Sequence, residues 1–172
     1  MNKLDQSYDV LEDSSARINT TNATGEVKQA QSFKPSVSGY ITKVSVKLKR
    51  EGSPVGNVYM TICADSGGSP GAILATSANI DASTIVTSGA TYYDFDFPIP
   101  YNGLSEVIYW YVLQGTWAQS DIDILKTYGS TALGYTRGVG KTWNGTSWSA
   151  ALSIDFNFKE YYDPSSFYGG MI

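Results

Sequence analysis

From Gln29 onward, apolar and polar residues alternate with a period of two, and turn-forming residues interrupt this pattern at intervals typical of antiparallel sandwiches. Successive side chains of a strand point to opposite faces, so the alternation predicts strands with one buried face. The clearest case is the segment 40–50, where Val44, Val46 and Leu48 are expected to point inward. We therefore predict an all-β, antiparallel β-sandwich.

Further strands are expected at 57–64, 91–97, 106–114 and 154–158, giving about nine or ten strands in all. Segments 40–50 and 57–64 are expected to form a hairpin around the intervening glycines and proline. The segment 106–114 is apolar on both faces, which predicts a central strand covered on both sides. The 13 Tyr, 6 Phe and 4 Trp also favour strands.

The two ends of the chain differ from the middle, so we divide it into an extended N-terminal arm (1–28), a sandwich domain (29–160) and an aromatic tail (161–172). In the arm, the spacing of the apolar residues predicts one or two helical turns. Exposed aromatic residues in the tail would favour aggregation, so they are expected to pack on this domain or on a partner subunit. The candidate assembly residues are Leu4, Tyr8, Leu11, Tyr161, Tyr162, Phe167 and Tyr168.

The net charge of -4 argues against nucleic acid as a partner, because such binding depends on clustered Lys and Arg. The one basic cluster, Lys43, Lys47, Lys49 and Arg50, is interpreted as the solvated face of a strand that protects a sheet edge.

The chain contains no His and a single Cys, Cys63, which argues against zinc sites and removes the most common general base. Asp94 and Asp96 share one strand face, and Asp121 and Asp123 share another. If those two strands were adjacent, they could supply a carboxylate pair for glycoside hydrolysis. Alternating Asp residues on an exposed strand are more simply explained by solvation. We therefore predict a protein that is not an enzyme and that holds no cofactor.

Four residues are candidates for binding. Trp143 and Trp148 flank an Asn-Gly turn and are the best candidates for an exposed platform that stacks on sugar rings. Trp117 is a third aromatic candidate, although buried packing is the usual fate of such residues. Asp65, in a Gly-rich loop, could contribute an oxygen to a Ca²⁺ site, but an ordinary turn is the simpler interpretation.

No apolar segment resembles a signal-peptide core or reaches the ~18 residues that a membrane span needs. We therefore expect synthesis and folding in the cytoplasm, with no membrane association. A lone cysteine excludes a disulfide within the chain.

Two motifs are distinctive: the Gly-Ser-Pro-x-Gly-Asn turn at 52–57 and the Asp-Ser-Gly-Gly-Ser-Pro-Gly loop at 65–71. Together with segments 31–35, 41–48, 109–110 and 143–158, they resemble jelly-roll-like β-sandwich domains of the choice-of-anchor type, which occur in bacterial surface proteins and tailed-phage virion proteins. The resemblance covers about residues 29–160. It implies a jelly-roll-like sandwich used for display, adhesion or virion structure, without catalytic residues.

These observations give two functional hypotheses. The first is a structural protein of a tailed-phage virion, such as a head-decoration, fibre or tail-associated subunit, that forms homo-oligomers and contacts other virion proteins. The second is a carbohydrate-binding or adhesion module, for which a host-surface glycan is the expected partner.

Overall fold

In the computed structural model, residues 2–10, 12–21, 25–150 and 152–164 are described, and they form thirteen strands in two antiparallel sheets. The predicted all-β sandwich is confirmed. Leu11, Phe167 and Tyr168 lie outside the described residues.

The first sheet has seven strands. In chain order they are β1 (Lys3–Tyr8), β2 (Ser14–Ile18), β4 (Gly39–Glu51), β8 (Thr91–Gly103), β10 (Ile124–Ser130), β12 (Asp155–Phe156) and β13 (Phe158–Asp163). The main path across it runs β1-β13-β4-β10-β12, while β8 pairs with β4 and β2 pairs with β10.

The second sheet has six strands. They are β3 (Lys28–Phe33), β5 (Asn57–Asp65), β6 (Pro70–Thr76), β7 (Ile80–Asp81), β9 (Tyr109–Gly115) and β11 (Gly140–Trp143). The path runs β11-β3-β9-β5-β6, and β7 pairs with β5. A 3-10 turn, Ala82–Thr84, follows β7.

The main hydrophobic core lies between the two sheets and is rich in aromatic side chains. Phe158 lies at its centre, with its ring centroid 6.2 Å from Phe33, 5.6 Å from Tyr111 and 5.0 Å from Tyr135. Because these rings come from both sheets and from a loop, the side chain of Phe158 joins the layers of the sandwich.

The predicted inward faces are confirmed where the alternation is strongest. Val44, Val46 and Leu48 of β4 are fully buried, as are Val58, Met60 and Ile62 of β5. The predicted central strand is β9, which is hydrogen-bonded between β3 and β5.

Two other strand predictions are wrong. β4 belongs to the first sheet and β5 to the second, so the segment 52–56 crosses between sheets and does not close a hairpin. β4 is also not an edge strand, because it pairs with β8, β10 and β13. Its lysines therefore do not protect an edge, and Lys43 and Lys47 contact acidic residues of neighbouring segments.

The N-terminal segment is built into the first sheet. The predicted helical turns are wrong, because Leu4 and Tyr8 lie in β1, which pairs with β13. β2 pairs with β10. The hydrogen bonds of these strands come from distant parts of the chain, and this overrides the local helical spacing. Tyr161 and Tyr162, assigned to the tail, continue β13.

Candidate functional site on the outer face of the second sheet

A groove of about 390 Å³ lies on the outer face of the second sheet. We call it the tryptophan groove. Its lining residues come from strands β3, β5, β6, β9 and β11 and from the turn after β11: Lys28, Tyr59, Thr61, Cys63, Pro70, Gly71, Ile73, Thr76, Val112, Gln114, Trp143 and Trp148.

Strand register explains why these residues share one face. Residues directly opposite each other on paired strands point to the same side of a sheet. Across β3, β9, β5 and β6, Ala30 lies opposite Val112, Val112 opposite Thr61 and Thr61 opposite Thr76. On this outer face the alternate residues of β5 and β9 line the groove, while their inward neighbours fill the main core.

Cys63 and Val112 form the floor of the groove. Together with Ala30 and Trp110 they belong to a second, small hydrophobic cluster, against which Trp148 packs. Burial raises the pKa of the Cys63 thiol, although a hydrogen bond with Thr61 and the positive charge of Lys28 oppose this effect. The thiol is therefore held in its neutral form and serves as a small apolar group.

Trp143 and Trp148 form one wall of the groove. Their ring centroids are 5.4 Å apart with an interplanar angle of 58°, and an isolated β-bridge joins the two residues. The turn between them is fixed by the Asn144 side chain, whose Oδ1 accepts hydrogen bonds from the Thr146 and Ser147 amides at 2.9 and 2.8 Å. Gly145 has a φ of 97°, as a turn with an Asn-Gly sequence requires. The tilt leaves both half-exposed rings accessible at the groove.

Polar groups surround this aromatic wall. Lys28 lies opposite Trp143 in the β3–β11 register, and Gln114 lies opposite Tyr59 in the β9–β5 register. Lys141 lies on the same face as Lys28, two residues along β11 from Trp143, and its Nζ donates to Ser69 Oγ at 2.9 Å. An apolar floor, an aromatic wall and a few polar side chains are the common composition of small-molecule sites, which measure roughly 300 to 1,000 Å³.

The other two sequence candidates do not join this groove. Trp117 is only 7% exposed and belongs to the main core, where its Nε1 donates to the Asp123 carbonyl at 2.9 Å. Asp65 lies beyond the groove, and its carboxylate accepts hydrogen bonds from Trp110 Nε1 at 2.8 Å and from the Gly68 amide at 3.1 Å. It holds the hairpin between β5 and β6. Within the described ranges, no group of three or more His, Cys, Asp or Glu is placed to hold a metal.

The two segments considered for a carboxylate pair do not form adjacent strands. Asp94 and Asp96 lie in β8, whereas Asp121 and Asp123 lie just before β10 and in neither strand. Among the described strands, β8 and β10 both pair with β4 and not with each other. Asp94 accepts hydrogen bonds from Lys43 Nζ at 2.9 Å and from Ser45 Oγ at 2.5 Å. Burial raises the pKa of Asp94, but these two hydrogen bonds outweigh it and the net pKa is lowered. Asp94 is therefore an ionised partner of Lys43.

The outer face of the first sheet is chemically different from the tryptophan groove. Lys47 lies 3.0 Å from the Asp9 carboxylate, and Lys159 lies 3.5 Å from the same group. Lys159 also lies 4.0 Å from the ring centroid of Tyr92. Paired charges cover this face, so the tryptophan groove is the better candidate for ligand binding.

Sequence reasoning found Trp143 and Trp148 but missed Lys28, Tyr59 and Gln114. A signal was present for Tyr59, which alternates with the inward residues Val58 and Met60. That alternation shows that Tyr59 points outward, but the residues it meets there come from other strands.

No helix in the described part of the chain has the length and apolar character needed to span a bilayer. No protein-family model matches the chain, and neither a curated protein nor a solved structure matches it.

Proposed function

We propose that this domain is a non-enzymatic recognition module that binds a carbohydrate in the tryptophan groove. The observation that carries the proposal is the half-exposed Trp143 and Trp148 pair above an apolar floor. Sugar rings present apolar C–H faces that stack on aromatic rings, and their hydroxyl groups need hydrogen-bonding partners at the rim.

The polar residues of the groove are suited to such hydroxyl groups. Gln114 offers both a donor and an acceptor, and the hydroxyls of Tyr59 and Thr76 act as either. A purely apolar ligand would leave these groups without partners when it displaced water from the groove, which would cost free energy.

The test is a glycan array followed by calorimetric titration of the best ligand. Trp148→Ala and Trp143→Ala are expected to weaken binding by about 2 kcal/mol or more, roughly 30-fold, as buried aromatic anchors do. Trp148→Phe is expected to retain part of the affinity because it keeps an aromatic ring. Ile99→Ala, at an 83% exposed residue outside the groove, is the matched control.

Thermal unfolding of each variant separates loss of binding from loss of folding. Absence of retention of the intact protein on every glycan would reject carbohydrate binding. Equal affinities for wild type and Trp148→Ala would place any binding elsewhere on the domain.

We also propose that the domain is a structural subunit of a tailed-phage virion, forming oligomers and contacting other virion proteins. Support comes from the resemblance of its turns to virion sandwich domains and from β1, which ends the first sheet and carries Leu4 at 51% exposure. A free strand edge with an exposed apolar side chain favours pairing with another chain. The two proposals are compatible, because a subunit on the virion surface could bind a glycan in the tryptophan groove.

Among the other assembly candidates, Tyr8 is buried against Tyr135, with their ring centroids 5.9 Å apart. The ring of Tyr161 lies 4.2 Å from Lys43 Nζ. Leu4 is therefore the best residue for a test. Leu4→Asp is expected to reduce incorporation of the tagged chain into gradient-purified particles without changing its melting temperature. Normal incorporation of this variant would exclude β1 as the contact.

A further inference from the structure

We infer that the tryptophan groove selects acidic saccharides, which carry a carboxylate or sulfate on the ring, over neutral ones. This inference rests on the proposed carbohydrate binding. It follows from the charge distribution around the groove and from the position of one lysine.

The groove is locally basic in an acidic protein. None of its lining residues is Asp or Glu, and Lys28 is the one cationic residue in the lining. Lys141 lies on the same face but outside the lining, with its Nζ 5.9 Å from the ring centroid of Trp110, and the Asp65 carboxylate hydrogen-bonded to that indole offsets its charge. The whole chain has a net charge of -4, so this local excess of positive charge contrasts with the rest of the molecule.

Lys28 also differs from four of the lysines on the opposite side of the sandwich. Lys43, Lys47, Lys126 and Lys159 each lie within salt-bridge distance of a carboxylate. Lys28 has no such partner among the residues that the structure describes. Its ammonium group is therefore available to an anionic ligand.

The position of Lys28 fits an acidic group at the edge of a stacked sugar. Lys28 lies directly opposite Trp143 on the neighbouring strand, so its side chain starts beside the stacking ring. A pyranose ring lying on an indole face directs its substituents outward in the plane of the sugar, toward neighbouring side chains. A carboxylate or sulfate there would form a charge-assisted hydrogen bond with Lys28, and partial burial strengthens such a bond.

The experiment uses the full chain and a glycan array with matched pairs: hexuronic acid with hexose oligosaccharides, sialylated with asialo glycans, and sulfated with unsulfated glycans. Acidic members are expected to be retained more strongly than their neutral partners. The best pair is then titrated at low and high salt. The preference is expected to shrink at high salt, because salt screens partly exposed charges.

The key variant is Lys28→Gln, with Lys49→Gln on β4 of the first sheet as the matched control. Lys28→Gln is expected to lower the affinity for the acidic glycan about tenfold. Its affinity for the neutral partner should be unchanged, and Lys49→Gln should alter neither.

The outcomes separate this inference from the proposed function. If neutral and acidic partners bind equally and Lys28→Gln has no effect, acidic selectivity is wrong while carbohydrate binding stands. If Trp148→Ala retains binding of the acidic glycans, the anion site lies outside the groove and the inference is also wrong. Retention on no glycan at all rejects both.

Discussion

Glu160 on β13 lies directly opposite Gln6 on β1, and its carboxyl group is fully buried on the inner face of the first sheet. Val44 of the main core is its neighbour on the other side. Neither carboxyl oxygen makes a hydrogen bond of ordinary geometry in the described part of the structure, although the Asp5 carboxyl and the Gln6 backbone amide lie near them. Burial, with a smaller contribution from the negative charge of Asp5, raises the pKa of Glu160 to about 8.

This buried acid predicts that stability falls as pH rises. Between pH 4.5 and about 8, the unfolded chain releases the Glu160 proton while the folded chain retains it. The folded state then binds more protons, so the free energy of unfolding decreases by up to about 1.4 kcal/mol per pH unit. The contribution of Glu160 to the free energy of unfolding is therefore fully present below its usual pKa of 4.5 and is lost once the pH exceeds its pKa of about 8 in the folded protein.

Urea denaturation of wild type and Glu160→Gln at several pH values between 5 and 8.5 tests this prediction. The variant lacks the titrating group, so wild type should lose stability relative to it as pH rises. Asp96→Asn, at an exposed position of β8, should show the wild-type dependence. If the free energies of unfolding of wild type and Glu160→Gln changed equally with pH, Glu160 would not be a buried, protonated acid.

Truncation of Phe158 should be strongly destabilising because its ring is fully buried among three other rings. Phe158→Ala is expected to lower the free energy of unfolding by about 3 to 5 kcal/mol. Ile99→Ala, at an exposed position, should remain within about 0.5 kcal/mol of wild type. If the alanine variant does not fold, Phe158→Leu gives an intermediate loss of stability that can be measured. A leucine variant as stable as wild type would show that this ring does not hold the sheets together.

Gly138 should not accept any side chain, because a Cβ atom there would lie 1.8 Å from the Ser32 carbonyl oxygen. The carbonyl of the adjacent residue, Val139, accepts a hydrogen bond from the Ser32 amide at 3.0 Å. A side chain at Gly138 would push the two segments apart here, which would disturb the start of β11 and the groove wall that carries Trp143. Gly138→Ala is expected to destabilise the protein by about 3 kcal/mol. Gly67→Ala, with a φ of 61° and no atom within 4 Å of the new Cβ, should cost only about 1 kcal/mol of backbone strain. Equal melting temperatures for the two variants would contradict this packing.

Cys63 should resist thiol reagents in the folded protein, because it is buried on the groove floor and its pKa is raised by burial. Reaction with a chromogenic disulfide is expected to be very slow in buffer and to reach one thiol per chain in denaturant. Fast reaction without denaturant would mean that Trp148 and its neighbours do not cover the floor.

The tryptophan pair could be predicted from the sequence because its geometry is local. Trp143, the Asn-Gly turn and Trp148 are close in sequence, and the turn that joins them depends on Asn144 and Gly145 themselves. The same reasoning ranked Trp117 below the pair but did not determine its surroundings. Trp117 is buried because its ring packs in the main core, and those contacts come from distant strands.

The sequence by itself determined which side chains of each strong strand point inward, because alternation is a property of the extended backbone. It did not determine which strands are neighbours. β4 and β5 each have one apolar face, and that pattern is satisfied equally by strands side by side in one sheet and by strands facing each other across a core.

Only the tertiary structure decided between these arrangements, since pairing depends on contacts between residues far apart in the chain. It placed β1 and β2 in the first sheet, enclosed the carboxyl group of Glu160, and brought Lys28 of β3 beside Trp143 of β11. The composition of the tryptophan groove, and with it the charge that we expect its ligand to carry, follows from that pairing.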